Sequence, residues 1–313
     1  MSKQRPPAIF LMGPTASGKT AVAAALVKRF PFEIISVDSV LVYRGMDIGT
    51  ARPDADLLRV APHRLIDIRD PAEPYSAAGF REDALRAMAD ITAQGHVPLL
   101  VGGTMLYFRA LEQGFSPMPP ADPEVRAVLE RALQDDGLES LYRRLQQVDP
   151  LAAARIHAND PQRIQRALEV FELTGQPMSK FHEQGRARPL PYRLIKLILA
   201  PEDRTRMQGR IEQRFHEMLD AGLVDEVRRL VGRGDLDVDL PSMRAVGYRQ
   251  VRAWLDGAMS YAEMVEQAIV ATRQYARRQL TWLRREENAR WFAADDGPVA
   301  ERIGAYLECR LKQ

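Results

Sequence analysis

The chain has 313 residues, 46% of them hydrophobic and 27% charged. That is enough for one full core and a smaller second unit, and it excludes the disordered and fibrous classes. Its 44 Lys+Arg nearly balance 42 Asp+Glu, and its only cysteine, Cys309, excludes an internal disulfide and a cysteine-based metal cluster.

Ala8–Met12 is an apolar run that predicts a buried strand, followed by a helix over Gly18–Arg29. No charged-then-apolar leader precedes it, and the longest apolar stretches, such as Val97–Val101 and Leu194–Ala200, are too short to span a membrane, so a cytoplasmic protein without membrane contact is expected. Glu33–Val37 predicts a second strand ending at Asp38, and His63–Ile68 a third, with a helix over Ser76–Gln94. Val97–Val101 is stopped by Gly102-Gly103, with a helix from Thr104. Strand alternating with helix in this way predicts an α/β fold, a parallel sheet covered by helices on both faces.

The pattern breaks at the proline-rich joint Phe115–Pro123. Glu124–Lys180 shows only helical periodicity, as over Val125–Leu133, Leu138–Leu145 and Pro161–Leu173, which predicts an all-helical insertion over residues 116–189 of a core formed by 1–115 and 190–313. Leu194–Ala200 resumes strand character, and long helices are expected over Arg204–Val231, Met243–Leu255 and Tyr261–Arg285. In the last, residues from Tyr261 through Tyr275 and Gln279 to Leu283 hold helical spacing as one buried stripe.

Charge is unevenly spread. Arg186, Arg188, Arg193 and Lys196 lie between Glu183 and Glu202 with no acid among them, and Leu240–Arg290 carries nine arginines against five acids. Such a surface suits a phosphate backbone, although a solvated helix face carries the same charge.

Gly13-Pro14-Thr15-Ala16-Ser17-Gly18-Lys19-Thr20 matches G-x-x-x-x-G-K-[ST] in full, between an apolar strand and a helix. Glycines let successive N–H groups point at phosphate oxygens, the helix N-terminus adds a favourable dipole, Lys19 brings a positive charge, and the Thr20 hydroxyl can ligate Mg2+. The loop says nothing of what the phosphates are attached to, so an ATP-binding NTPase or a small-molecule kinase is the default class. Asp38, at the carboxyl end of a strand, is placed either to hold Mg2+ or to accept a proton from a nucleophile. Thr104 either caps the helix it begins or faces substrate.

Longer segments narrow the reading. Ile9–Thr20, Ser36–Ala51, Pro62–Ile68, Gly102–Tyr107, Asn159–Glu169, Ser242–Gln250 and Ala271–Leu283 together resemble the bacterial tRNA dimethylallyltransferases, the tRNA isopentenyltransferase family. The resemblance implies a P-loop NTPase-like core and transfer of a dimethylallyl group from dimethylallyl diphosphate to N6 of adenosine 37 of tRNA, with Mg2+ and release of diphosphate. It implies that Asp38 is the base, assisted by Lys19 and Thr104, and that Arg214 joins Gly13–Thr20 on the diphosphate. It places tRNA contacts at Asp38, Ser39, Val40, Leu41, Thr104 and Arg126, at Gln162, Arg163, Ile164, Gln165 and Arg166, and at Met243, Arg244, Ala245, Val246, Gly247 and Tyr248. The insertion would then grip the anticodon stem-loop, with the enzyme a monomer. The segment after Arg290 carries no family signal.

Overall fold

The computed structural model describes residues 5–114, 116, 118–183 and 190–312. The boundary residue Phe115 and the arginines at 186 and 188 lie outside the described residues. Six strands, β1 (Pro7–Met12), β2 (Phe32–Val37), β3 (His63–Arg64), β4 (Val97–Gly102), β5 (Arg193–Ala200) and β6 (Ala289–Ala293), form one sheet in the order β3-β2-β4-β1-β5-β6. Every pairing is parallel. The alternation of side chains along β1 builds two cores. Ile9 and Leu11 pack with Val22, Leu26, Ile303 and Leu307 from the helices Lys19–Val27 and Val299–Leu311. On the other face Phe10 meets Phe108, whose helix is Met105–Gln113, with ring centroids 4.9 Å apart.

Four expectations are corrected. The third strand stops at Arg64, because Leu65 (φ 64°) and Asp67 (φ 54°) adopt left-handed backbone that cannot continue a ladder. The helix expected over Arg204–Val231 is two, Arg204–Asp220 and Leu223–Val231, broken where Gly222 takes φ 99°. The helix expected from Met243 begins at Tyr248, after Gly247 at φ 93°. Tyr261, assigned to a buried stripe, is 48% exposed. The segment after Arg290 supplies most of β6, pairing from Lys196↔Ala289 to Ala200↔Ala293.

The chain divides into two compact units, residues 1–111 with 191–313 and residues 112–190. Among the described residues the second contains helices and no strand. Its main helix, Pro123–Val148, is interrupted at Gly137 (φ 79°), and its core gathers Leu129, Leu141, Leu145, Ile164 and Leu168.

Candidate active site

β1, β2 and β4 all end on the same edge of the sheet, which delivers three loops to one place. The first, Gly13–Gly18, can follow β1 only because residue 13 is glycine: a Cβ there would lie 2.2 Å from the carbonyl oxygen of Leu199 on β5. Left-handed backbone at Ala16 (φ 60°) and Gly18 (φ 82°) curls the loop before the helix starts at Lys19. Lys19 folds over it, with Nζ donating to the Pro14 carbonyl at 2.6 Å and to Ser17 Oγ at 3.3 Å. Burial, then the charge of Arg214, push the Lys19 ammonium down to about 7, against the opposing pull of Asp38. The Thr15 N–H is directed elsewhere, to Gln279 Oε1 at 2.9 Å.

Asp38 follows β2. Its Oδ1 accepts from the N–H groups of Val40 (2.8 Å) and Leu41 (3.2 Å), an Asx turn that fixes the carboxylate and leaves Oδ2 outside those bonds. The Thr104 hydroxyl, after β4, accepts from the Ser39 N–H at 3.2 Å, so it ties the loop after β4 to the loop after β2. Gln279, buried on the helix Tyr261–Leu283, completes the frame by donating from Nε2 to the Gly103 carbonyl at 2.9 Å. One turn earlier, burial followed by the Asp38 charge pushes the Tyr275 phenol up to about 12, with the Thr104 and Gln279 side chains opposing that shift.

Arg214 comes from the helix Arg204–Asp220. Burial lowers its pKa, while Asp38 and Glu217 oppose that shift. Lys19, Arg214 and Asp38 thus share one electrostatic neighbourhood. A cavity of about 350 Å3 opens onto it, lined by Thr15, Ala16, Asp38, Arg214, Tyr275 and the stretch Arg244–Tyr248, among others. A second, more open cavity of about 550 Å3 shares Ala16, Arg214 and Met218 with the first and continues past Gly18 to Arg52 and Arg210.

The cavity wall rests on a residue that sequence reading passed over. Glu226, 1% exposed, accepts from the N–H groups of Asp47 (3.0 Å), Ile48 (2.8 Å) and Gly49 (3.1 Å) and from the Tyr248 hydroxyl (2.5 Å). Burial and this carboxylate drive the Tyr248 phenol far above its ordinary range.

Not every residue expected to touch RNA offers a side chain to it. Ser39 and Val40 line the cavity and Leu41 is half-buried beside them, but Met243 is 1% exposed. Tyr248 has no exposed surface, although its ring forms part of the cavity wall. In the helical unit Ile164 is core, Gln162 and Arg163 are exposed, and Gln165 donates to the Arg126 carbonyl at 3.5 Å. Arg126 and Arg166 converge on Glu169, itself 1% exposed: Arg126 Nε lies 2.9 Å from Oε1 and Arg166 Nη1 2.5 Å from Oε2. Burial raises the Glu169 pKa, but the bonds from Arg166, Arg126 and the Asp122 N–H outweigh it and hold the group below the ordinary glutamate value. Glu169, Glu226, Gln279 and Tyr275 all escaped the sequence reading as site residues. Their only sequence signal was membership of apolar or motif-bearing helices.

A six-stranded parallel sheet with a glycine-rich loop between its first strand and helix defines an α/β protein of the phosphate-loop class. The family model for IPP transferase matches residues 41–286. The chain belongs to that family. It is 60% identical over 306 residues, 97% of this chain and 96% of the relative, to the tRNA dimethylallyltransferase of Thioalkalivibrio sulfidiphilus. Crystal structures of the tRNA isopentenylpyrophosphate transferase of Bacillus halodurans (37% identity, TM-score 0.73, covering 99% of this chain and 97% of that one) and of its Staphylococcus epidermidis counterpart (32%, 0.69, 98% and 100%) are similar over nearly their full length. A eukaryotic dimethylallyltransferase acting on tRNA shares the fold at TM-score 0.82 and 23% identity, over 98% of this chain and 80% of that chain. No helix among the described residues is long and apolar enough to cross a membrane.

Proposed function

We propose that this chain transfers the dimethylallyl group of dimethylallyl diphosphate to N6 of adenosine 37, beside the anticodon of tRNA. Family membership and the 60% identical relative support tRNA prenylation. The observation that carries the mechanism is the shared cavity: the carboxylate of Asp38 and the guanidinium of Arg214 line the same 350 Å3 space as the phosphate loop.

The adenine of a free anticodon loop is stacked, so it must be extruded to reach such a cavity. Its N6 lone pair then forms a bond to C1 of the prenyl donor. The C1–O bond breaks, and the electron pair leaves with diphosphate. The N6 proton passes to Asp38, whose Oδ2 lies outside the Asx turn. Charge growing on the leaving group is met by Lys19, Arg214 and the amides of the loop from Ala16 onward, fixed in place before reaction. Thr104 holds the carboxylate-bearing loop through the Ser39 N–H. Because the two cavities share Ala16, Arg214 and Met218, the nucleobase and the prenyl donor can approach this wall from different sides.

A divalent ion fits the donor set as a diphosphate companion. Among the described residues no three His, Cys, Asp or Glu cluster as a metal cage, and the Thr20 hydroxyl is a hard oxygen at the first turn of the loop's helix. Thr20 would hold Mg2+ there, and the ion would supply positive charge to the leaving diphosphate.

The helical unit, residues 112–190, grips the anticodon stem-loop through Gln162, Arg163 and the Glu169-anchored Arg126 and Arg166. The enzyme acts in the cytoplasm as a monomer. A small-molecule kinase would share the phosphate loop but would turn over ATP without RNA. Purified protein with dimethylallyl diphosphate, Mg2+ and unmodified tRNA should add the mass of one prenyl unit to one adenosine. RNA of unchanged mass together with RNA-independent release of phosphate from ATP would overturn the reading.

A further inference from the structure

The helical unit holds a cavity of its own, about 260 Å3, between the segments Pro150–Ala153, Pro161–Thr174 and Met178–Glu183. Its apolar lining is Ala152, Ile156 and Met178, its polar lining is Ser179 and His182, and its cations are Arg155, Arg163 and Arg166; no acid lines it, although Arg163 Nε lies 3.4 Å from Asp160 Oδ2 beside it. The site is built. Asp149, 1% exposed, accepts from the Ala152 N–H through Oδ1 (2.9 Å) and from the Ser179 N–H through Oδ2 (2.8 Å), so a single buried carboxylate pins two opposing walls. Arg166 is held rigid by Glu169 and by the Pro119 carbonyl at 2.6 Å. At about 260 Å3 the space lies just below the range of drug-sized ligand sites (roughly 300–1,000 Å3), so it is sized for one ring system and not a length of strand. An apolar floor with cations at its mouth is the chemistry that takes an unstacked base and its phosphate.

We propose that this cavity receives one unpaired nucleotide of the tRNA substrate, distinct from the adenosine that is prenylated, with its base against Ile156 and Met178 and its phosphate on Arg155 and Arg163. The inference rests on the tRNA reading above. It goes further in giving the helical unit a pocket that reads a second base rather than a surface that only attracts backbone.

A binding cycle tests it. An anticodon stem-loop RNA is prepared intact and with each loop nucleotide made abasic in turn, and its Kd is measured with wild type, Arg155→Ala and Met178→Ala. Binding is scored separately from prenyl transfer, so failure of the wild type to prenylate the intact RNA counts against the functional reading alone. Both variants should bind intact RNA roughly five- to tenfold more weakly, the scale of one lost nucleotide contact. One abasic position should cost the wild type a similar factor and cost Met178→Ala nothing further, because both remove the same contact. Additive losses at every position, or a loss confined to Arg155→Ala with a shallower salt dependence, would show backbone attraction only and overturn the proposal.

Discussion

The side chain of Gln279 joins two loops that chemistry needs side by side: its Oε1 accepts from the Thr15 N–H at 2.9 Å while its Nε2 donates to the Gly103 carbonyl, also at 2.9 Å. Gly103 must be glycine for this to happen, since a Cβ there would sit 2.3 Å from Nε2. The spacing between the phosphate loop and the loop bearing Thr104 is therefore set by one buried amide.

Gln279→Ala leaves the buried Gly103 carbonyl and the half-buried Thr15 N–H without partners, at a cost of roughly 1–3 kcal/mol for the buried group. Urea unfolding should show that loss. Turnover at saturating substrates should fall further than tRNA affinity, because the displaced groups frame the loop proposed to hold the diphosphate. Gln279→Glu restores the acceptor for Thr15 but puts an oxygen against the Gly103 carbonyl, and should not recover activity.

Lys19 yields a pH prediction. Its ammonium is pushed down to about 7 from an ordinary value of 10.5, so between those values the folded protein binds fewer protons than the unfolded chain. This group therefore makes stability rise with pH across that window. An anion seated on Lys19 pulls the proton back. Diphosphate binding at pH 8 should take up protons, seen by calorimetry in buffers of different ionisation enthalpy, and affinity should weaken as pH rises above about 7. Lys19→Arg, which stays charged, should abolish both effects.

Much of the sheet was legible and much of the site was not. The central strands are largely buried, so most of their length is written as short apolar runs such as Ile9–Met12, Ile34–Ile35 and Leu197–Leu199. β6 is an edge strand whose Trp291 is 42% exposed and whose only buried residue is Phe292, so its sequence lacks the signature of a strand covered on both faces. The breaks at Leu65, Asp67 and Gly222 depend on backbone signs that only tertiary context fixes. The loop and Asp38 could be read because their chemistry is local to a motif. Glu226, Glu169 and Gln279 could not, since each acts on partners brought by folding from segments 43 to 264 residues away.

Glu226→Gln replaces an acceptor of three amides and a phenol by a group whose Nε2 faces amide donors. Leaving these amide donors without their acceptor costs roughly 1–3 kcal/mol. Chemical denaturation should show a drop of that order. Tyr248→Phe, which removes only one of the four bonds, should cost about 1 kcal/mol.

Glu169 ties acid stability to the helical unit. A carboxylate held below its ordinary value contributes stability that is present above the unfolded value and lost as pH falls through the lower folded one. Unfolding midpoints followed below pH 4.5 should fall more steeply for wild type than for Glu169→Gln. The variant should also weaken tRNA binding by misplacing Arg126 and Arg166.

The central claim is that Asp38 takes the proton from the nucleobase amine. Asp38→Asn keeps the Oδ1 that caps Val40 and Leu41, so the loop should hold its shape while the base is lost. Single-turnover prenyl transfer should slow by roughly 10²–10⁴-fold with the Kd for tRNA within a few fold of wild type. Equal losses in rate and in tRNA affinity, or near-normal transfer, would contradict it.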